Sequence, residues 1–402
     1  LNTHSTATDA PATENGQCAT AEVELTILMP CLNEAETLAG CIDNALGFLN
    51  KYGIPGEVLI ADNGSTDGSQ ELARRQGARV VDVPVRGYGS ALYHGTQAAR
   101  GKYVIMGDSD GSYDLANLMP FVDKLRSGHE LVMGNRFQGG IKPGAMPWKN
   151  RWIGNPILSG IGRLFFHCPV GDFHCGLRGY SRQAFEKMDL RTTGMEFASE
   201  MVIKATLQKM RLAEVPTTLS PDGRSRPPNL RPWRDGWRHL RFMLLFSPRW
   251  LFLYPGFLAM FVGLAAILWL LPGPQTIGRL NVDVHTMLFA AFSVILGFQA
   301  VMFAVSGRML ATTNGFLPPN RWTRRLGKPT TLEWGLIVGG LLVLLGFLAS
   351  AAAVVYWERQ SFGPLDPVQV MRIIIPAGLA MCLGFQTVLA SFFLGVLRLG
   401  CR

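Results

Sequence analysis

Tyr103-Val104-Ile105-Met106-Gly107-Asp108-Ser109-Asp110-Gly111 is an apolar run that ends in two carboxylates one residue apart. A strand that stops by presenting such a pair suits a divalent cation. Hard cations such as Mg²⁺ or Mn²⁺ take oxygen ligands and bind one or two carboxylates together with substrate phosphates. Asp-X-Asp at a strand end therefore suggests a departing diphosphate. Taken alone, it is equally an acidic strand-to-loop turn, and the neighbouring sequence decides between the two.

Upstream, residues 24–29 alternate and are β-rich, and Pro30 is expected to break the strand. Asn33-Glu34-Ala35-Glu36 leads into a helical pattern with apolar Leu38, Cys41, Ile42 and Ala45. A second strand at 57–61 ends in the turn cluster Asp62-Asn63-Gly64-Ser65-Thr66-Asp67-Gly68. A helix over 70–76, a strand over 79–83, a Gly-rich turn at 86–89 and a helix over 91–100 precede the fourth strand, Tyr103–Met106. Strands and helices that alternate through short connections imply a parallel, doubly wound sheet. Ligands of such sheets bind outside the carboxyl ends of the strands, where 30–34, 62–68 and 108–111 all fall. That coincidence points to a nucleotide site. Gly87-Tyr88-Gly89 is not a dinucleotide fingerprint, and Gly-X-X-X-X-Gly-Lys-Ser/Thr is absent from the sequence, so a P-loop is disfavoured.

The composition is uneven along the 402 residues, with a net charge of +9. From 251 onward four apolar runs appear, at 251–271, 287–306, 334–356 and 373–397. Each is long enough for the roughly 30 Å hydrocarbon core, which takes about 20 residues. One such run could be a buried core helix, but four in succession read as four transmembrane spans. The loop between the second and third carries Arg308, Arg321, Arg324, Arg325 and Lys328, whereas the first loop sets Arg279 against Asp283. The positive-inside rule then predicts a cytoplasmic N-terminal domain and both termini cytoplasmic. Residues 1–22 show no signal peptide and read as a disordered tail. The seven cysteines lie scattered without metal-binding spacing, as reduced structural thiols would.

Five motifs occur in order: Pro30-Cys31-Leu32-Asn33-Glu34, 62–68, Asp108-Ser109-Asp110, Gly134-Asn135-Arg136-Phe137 and Asp172-Phe173-His174-Cys175-Gly176-Leu177-Arg178. Together they make the chain resemble glycosyltransferase family 2, and within it the polyprenyl-phosphate glycosyltransferases such as dolichol-phosphate mannose or glucose synthases. The resemblance implies an α/β fold with a GT-A catalytic domain (Rossmann-like, mostly parallel sheet) over 23–230; the residue pattern itself adds a juxtamembrane amphipathic helix over 231–250 and a four-span domain over 251–402. The resemblance also implies that Pro30, Leu32, Glu34 and Asp62 hold the nucleoside, and that Asp108, Ser109 and Asp110 address the diphosphate and a Mg²⁺ or Mn²⁺ ion. The third metal ligand would fall at Ser112, a weaker donor than an amide oxygen, with a water or Asp114 as substitute. Arg136, Arg151 and Asn155 match positions that bind the acceptor phosphate, and Arg224 or Arg226 one that closes over the diphosphate. UDP-glucose is favoured as donor over GDP-mannose on general likeness, and anchors of this kind can pack as tetramers.

A polyprenyl phosphate acceptor would explain why no nucleophile–base pair stands out. A phosphate monoester, with a second pKa of about 6, is already largely anionic at neutral pH. Positioning and stabilisation of the leaving group then matter more than general-base catalysis, and inversion by a single displacement is expected.

Residues 224–250 carry seven arginines against Asp235, with Trp233, Trp237, Leu240 and Leu244 at helical spacing. A basic aromatic helix of this kind lies on an anionic membrane surface. Solvation of the domain would use arginines too, and nucleic-acid binding is disfavoured because a span begins immediately afterwards. Trp148-Lys149-Asn150-Arg151-Trp152 predicts a second interfacial helix, running to Phe166. Glu196 and Glu200, four apart, read either as a solvated helix face or as ligands of sugar hydroxyls or of an acceptor-site arginine.

Two rival functions fit less well. A processive polysaccharide synthase would carry Gln-X-X-Arg-Trp, but Leu245-Phe246-Ser247-Pro248-Arg249-Trp250 lacks the glutamine. A lipid or sugar transporter with a nucleotide-sugar-sensing domain would need a polar conduit, for which Gln299 and Gln386 are thin material.

Overall fold

The computed structural model describes residues 23–225, 232–315, 317 and 330–399. The tail 1–22, Arg226, Arg231, Arg321, Arg324, Arg325 and Lys328 lie outside the described residues, as does the side chain of Trp233. The chain forms two compact units, neither contiguous in sequence. The first comprises residues up to Met146 with Cys175–Asp189 and Ala213–Pro227; the second comprises Pro147–His174, Leu190–Leu212 and the remainder.

The first unit is built on β1 (Leu25–Cys31), α1 (Ala35–Tyr52), β2 (Gly56–Asp62), α2 (Ser69–Arg75), β3 (Arg79–Asp82), α3 (Tyr88–Ala98) and β4 (Tyr103–Met106). It continues with α4 (Met119–Arg126), β5 (Leu131–Asn135) and α5 (Arg136–Gly139). After an excursion through α6 (Asn155–Phe166), the chain returns as β6 (Arg178–Ser181) and α7 (Arg182–Met188), leaves again for α8 (Phe197–Leu207), and adds β7 (Leu212–Pro216). The sheet order is β3-β2-β1-β4-β6-β5-β7. β1, β2, β3 and β4 are mutually parallel, and β6 runs antiparallel to both β4 and β5. Fully buried Leu25, Ile27, Met29, Val58, Ile60 and Ile105 on the strands pack with Leu38, Ile42, Phe48 and Phe121 of the helices in one core. The alternation read from the sequence thus produces the α/β sheet it implies.

One expectation fails locally. Pro30 does not break β1, which runs on to Cys31 in register with Asp62. The reason is directional. Leu28 accepts from Gly107 N across β4, so Pro30, two residues on, faces the same side. β4 has ended there, and an edge position without a ladder partner tolerates the missing N–H.

The second unit carries α6, α8, the basic helix α9 (Pro232–Phe246) and four long apolar helices. These are α10 (Tyr254–Leu270), α11 (Val284–Thr313), α12 (Thr330–Arg359) and α13 (Pro367–Leu399). The stretches long and apolar enough to cross a membrane are Arg249–Leu270, Val284–Thr313, Leu332–Arg359 and Pro367–Leu397, as the hydropathy pattern predicts. Close approach is set by glycines. A Cβ on Gly256 would sit 2.8 Å from Gly297 O of α11, and one on Gly339 would sit 2.7 Å from Gly384 O of α13. Small residues at crossings let membrane helices gain dispersion contacts where no hydrophobic drive exists. Arg372 of α13 is held by Asp283 and by the Leu270 carbonyl.

Within this unit Trp237 of α9 is 58% exposed, whereas His239 and Met243 are buried. Trp148 and Trp152 are exposed as well, each carrying a cation over its ring (Lys149 and Arg151, at 5.9 and 5.3 Å). The helical course expected after Trp152 begins as a wide turn, Asn150–Gly154, and continues as α6. Glu200 is fully buried, which excludes the solvated-face reading for it. It pairs with Lys204 at 2.9 Å and accepts from Thr192 N at 2.9 Å and Thr192 Oγ1 at 2.7 Å.

Candidate active site

Three loops at the carboxyl edge of β1, β2 and β4 are stitched together by short polar side chains. Asn33, in the left-handed conformation (φ 58°), accepts from Thr66 N at 2.7 Å, and its own N–H donates to Ser65 Oγ at 2.8 Å. Glu34 N donates to Ser69 Oγ and Ala35 N to Asp67 Oδ2, both at 3.0 Å. The third loop joins through Ser109, whose hydroxyl donates to Pro30 O at 2.8 Å while its carbonyl accepts from Thr37 Oγ1 at 2.7 Å. The dense run of Asn, Ser, Thr and Asp in the sequence is therefore a bracing set. Short side chains that bond to nearby backbone hold such turns without secondary structure.

Asp62 closes the end of β2. Its Oδ2 accepts from Gly64 N and Ser65 N at 3.0 Å and from Gln70 Nε2 at 2.6 Å. Burial pushes this carboxyl up, but the Ser65, Gln70 and Gly64 hydrogen bonds outweigh it and hold the group below the usual aspartate value. Its Oδ1 is sealed from solvent and has no hydrogen-bond partner among the described residues. A buried carboxylate oxygen left open is an acceptor awaiting a donor, such as a ribose hydroxyl or a base N–H. Asn63 beside it ties the loop to the connection between β3 and α3, donating to Val83 O and Val85 O and accepting from Gly87 N at 2.7 Å. Leu32 lies partly exposed in the first loop, between Cys31 and Asn33.

Asp108 and Asp110 face one another's charge at the end of β4. Asp108 is pushed up to about 6, first by burial of its carboxyl and then by Asp110; Tyr88, Arg136 and Arg224 act in the opposite direction. A buried carboxylate raised in this way by a neighbouring one marks a place where added positive charge is stabilising. Tyr88 donates its hydroxyl to Asp108 Oδ1 at 3.0 Å. The backbone of Gly176 passes so near that a Cβ there would lie 2.5 Å from Asp108 Oδ2. Gly176 N in turn donates to Tyr113 Oη at 2.8 Å. The glycine of the Cys175-Gly176-Leu177-Arg178 motif is thus a packing requirement of the carboxylate. Neither Tyr88 nor Gly176 stood out as a site residue in the sequence. The signal for Tyr88 was its place between two glycines at the sheet edge.

Arg224 supplies the counter-charge. Its guanidinium reaches Asp110 Oδ2 at 2.9 Å, Glu34 Oε1 at 3.1 Å and Asp222 Oδ2 at 2.9 Å, with 12% of the side chain exposed. Gly223 N donates to Asp110 O at 2.9 Å, anchoring the segment that carries it. Arg136 opens α5 and is buried, close enough to Asp108 for its charge to be felt there. Ser112 is buried, and its N–H donates to Asp110 Oδ1 at 3.0 Å. Among the described residues, no group of three or more His, Cys, Asp or Glu side chains is arranged to hold a metal. Two carboxylates without a third fit a Mg²⁺ or Mn²⁺ ion that keeps waters and takes phosphate oxygens; they do not fit a closed structural site. Pro30, Leu32, Glu34, Asp62, Asp108, Ser109, Asp110, Ser112, Arg136 and Arg224 all belong to the first unit, whereas Arg151 and Asn155 belong to the second.

Residues 26–189 match the profile of the glycosyl transferase family 2, and residues 305–398 that of the glycosyltransferase family 2 C-terminal transmembrane region. The chain belongs to glycosyltransferase family 2. It is an integral membrane glycosyltransferase with a GT-A-like α/β sheet. This family 2 chain is 35% identical over 375 residues to the low-salt glycan biosynthesis hexosyltransferase Agl6 of Haloferax volcanii, covering 93% of this chain and 89% of that protein. A dolichyl-phosphate hexose transferase of the same organism is 27% identical over 194 residues, or 48% of this chain and 81% of its own. Among solved structures, glucosyl-3-phosphoglycerate synthase from Mycobacterium tuberculosis, in complex with Mn²⁺, UDP and glucosyl-3-phosphoglycerate, matches with a TM-score of 0.44. The sequence identity is 24%, over 56% of this chain and 80% of that one.

Proposed function

We propose that this glycosyltransferase moves a single hexose from a nucleotide-diphosphate sugar to a polyprenyl phosphate at the cytoplasmic membrane face, with inversion at the anomeric carbon. The observation that carries the proposal is the joining of the Asp108–Asp110 pair with Arg136 and Arg224 in one braced loop cluster, in a chain that also spans the membrane. The hexosyltransferase and dolichyl-phosphate names of two relatives support the sugar and acceptor classes.

In this proposal the open Asp62 oxygen and the 30–34 loop receive the nucleoside, and Asp108 and Asp110 hold a Mg²⁺ or Mn²⁺ ion. That ion, when bound, would act as Lewis acid on the departing diphosphate. Arg224 holds Asp110 in the ligand-free cluster and would transfer its fork to the diphosphate, because guanidinium matches phosphate bidentately. Arg136, Arg151 and Asn155 would orient the acceptor phosphate, which attacks as an anion without giving up a proton to the protein. Bracing by Asn33, Asn63 and Ser109 fixes the loops before substrate arrives, so little ordering remains to be done in the transition state.

Purified protein incubated with a panel of UDP- and GDP-sugars tests the proposal. Nucleoside diphosphate should be released from one donor only when a short polyprenyl phosphate and Mn²⁺ or Mg²⁺ are both present, and release should stop on chelation. Release that ignores the lipid, or persists in excess chelator, would contradict it.

A further inference from the structure

Arg308 interrupts the apolar course of α11 five residues before the helix ends at Thr313. An arginine inside a membrane-spanning segment is costly, and such residues mark functional sites or reach out to the interface. Reaching out is the bland account, since a long side chain can carry its charge to water. The structure departs from it in two ways. Arg308 Nε is sealed from solvent with no hydrogen-bond partner among the described residues. The charged group that acts on it is another cation, Arg249.

The topology explains the pairing. Arg249 opens the turn Arg249–Leu253 that leads into α10, and α10 and α11 pack as antiparallel neighbours. The start of one span and the end of the other therefore share a level of the membrane. Phe252 and Phe303, with rings 6.2 Å apart, hold the turn against α11. Among the described residues, neither guanidinium has an acidic partner. Residues 318–329, which follow α11, contain no aspartate or glutamate and add three arginines and a lysine.

We propose that Arg249 and Arg308 form a binding site for the phosphate group of a membrane lipid. Two adjacent cations with no anion beside them among the described residues, one with its nitrogen withdrawn from water, are stabilised by a counter-ion from outside the chain. Arg308 lies about 8 Å along the axis from the end of its helix, at 1.5 Å per residue. The 30 residues of α11 make a helix about 45 Å long, and centring it on the roughly 30 Å hydrocarbon core puts Arg308 near the rim, where headgroups begin. The anions there are phosphates, and two guanidinium forks suit a doubly charged monoester better than a singly charged diester. The site consists of membrane helices alone and does not depend on the nucleotide-sugar chemistry.

Full-length protein in a non-ionic detergent would be mixed separately with polyprenyl phosphate, phosphatidylglycerol, neutral diacylglycerol and inorganic phosphate, without donor sugar. Native mass spectrometry then counts what stays bound. Wild type should retain a phosphate-headed lipid at least roughly tenfold better than diacylglycerol, the scale of one charge-assisted hydrogen bond. Arg308→Gln and, independently, the exposed Arg249→Gln should remove that preference. Preference for polyprenyl phosphate alone identifies the monoester carrier as the ligand, and equal retention of phosphatidylglycerol identifies bulk phospholipid. Equal lipid retention by wild type and Arg249→Gln would overturn the site, and so would binding of inorganic phosphate without either lipid. Because no turnover is read, the outcome is separable from that of the proposed transfer reaction.

Discussion

The two charged regions of this molecule are organised in opposite ways. At the sheet edge of the first unit each charge has company: Asp110 and Glu34 share Arg224, Asp108 has the Tyr88 hydroxyl, and Asp62 is bonded three times on one oxygen. At the shared end of α10 and α11, Arg249 and Arg308 stand beside each other with no acid among the described residues. The contrast teaches what each region waits for. A cluster whose charged groups already have partners can exchange an internal partner for a ligand, so that binding there is a substitution. Cations left unbalanced can only take in an anion.

The largest effect expected is at the sheet-edge cluster. Asp110→Asn should lower transfer by on the order of 10²- to 10³-fold while leaving membrane extraction and melting unchanged. Wild-type turnover in that variant would remove the metal role. Arg151→Ala should raise the KM for the lipid acceptor by roughly ten- to a hundredfold with kcat far less affected, the scale of a lost hydrogen bond to a charged group. A shift in donor KM instead would move Arg151 away from the acceptor. Gly176→Ala forces a methyl against Asp108 Oδ2, and Mn²⁺ affinity read by titration should fall about tenfold, as for other groups that orient a ligand. Affinity equal to wild type would mean that Asp108 is not a ligand.

Arg224→Ala sharpens the contrast further. Without donor, removing the guanidinium from Asp110 should make Mn²⁺ bind a few-fold more tightly, while donor turnover falls, since a like charge no longer competes. Weaker Mn²⁺ binding would show that Arg224 organises the carboxylate instead of competing for it.

The smallest effect lies away from the site. Burial pushes Glu57 up, but the Arg79 guanidinium, the Arg100 amide and the Thr26 hydroxyl outweigh it and hold the group below its usual 4.5. A depressed carboxylate stabilises the fold above the unfolded value and loses that contribution as pH falls through the folded one. Glu57→Gln should therefore cost about 1 kcal/mol at neutral pH and flatten the loss of stability below pH 4.5. An unchanged acid limb would show the Arg79 pair to be inert.

Much of this was readable from the chain, because the signals are local. A strand that stops in Asp-X-Asp, loops dense in Asn, Ser and Asp, and long apolar runs are each written in consecutive residues. What escaped depends on distance. β5 and β6 pair antiparallel across the excursion that carries α6, and no periodicity announces a partner more than forty residues away. Gly176 matters because its backbone abuts Asp108, and Glu200 is buried because it pins the Thr192 turn, both facts of packing. Pro30 was misread for a related reason: its effect depends on which side of β1 still has a neighbour.

The mass of the lipid product is the most direct test of the transfer reaction. After incubation with Mn²⁺, donor and a short polyprenyl phosphate, the lipid should become heavier by one hexose and no more. A ladder of hexoses on the lipid, or free hexose with the lipid unchanged, would contradict single transfer to phosphate.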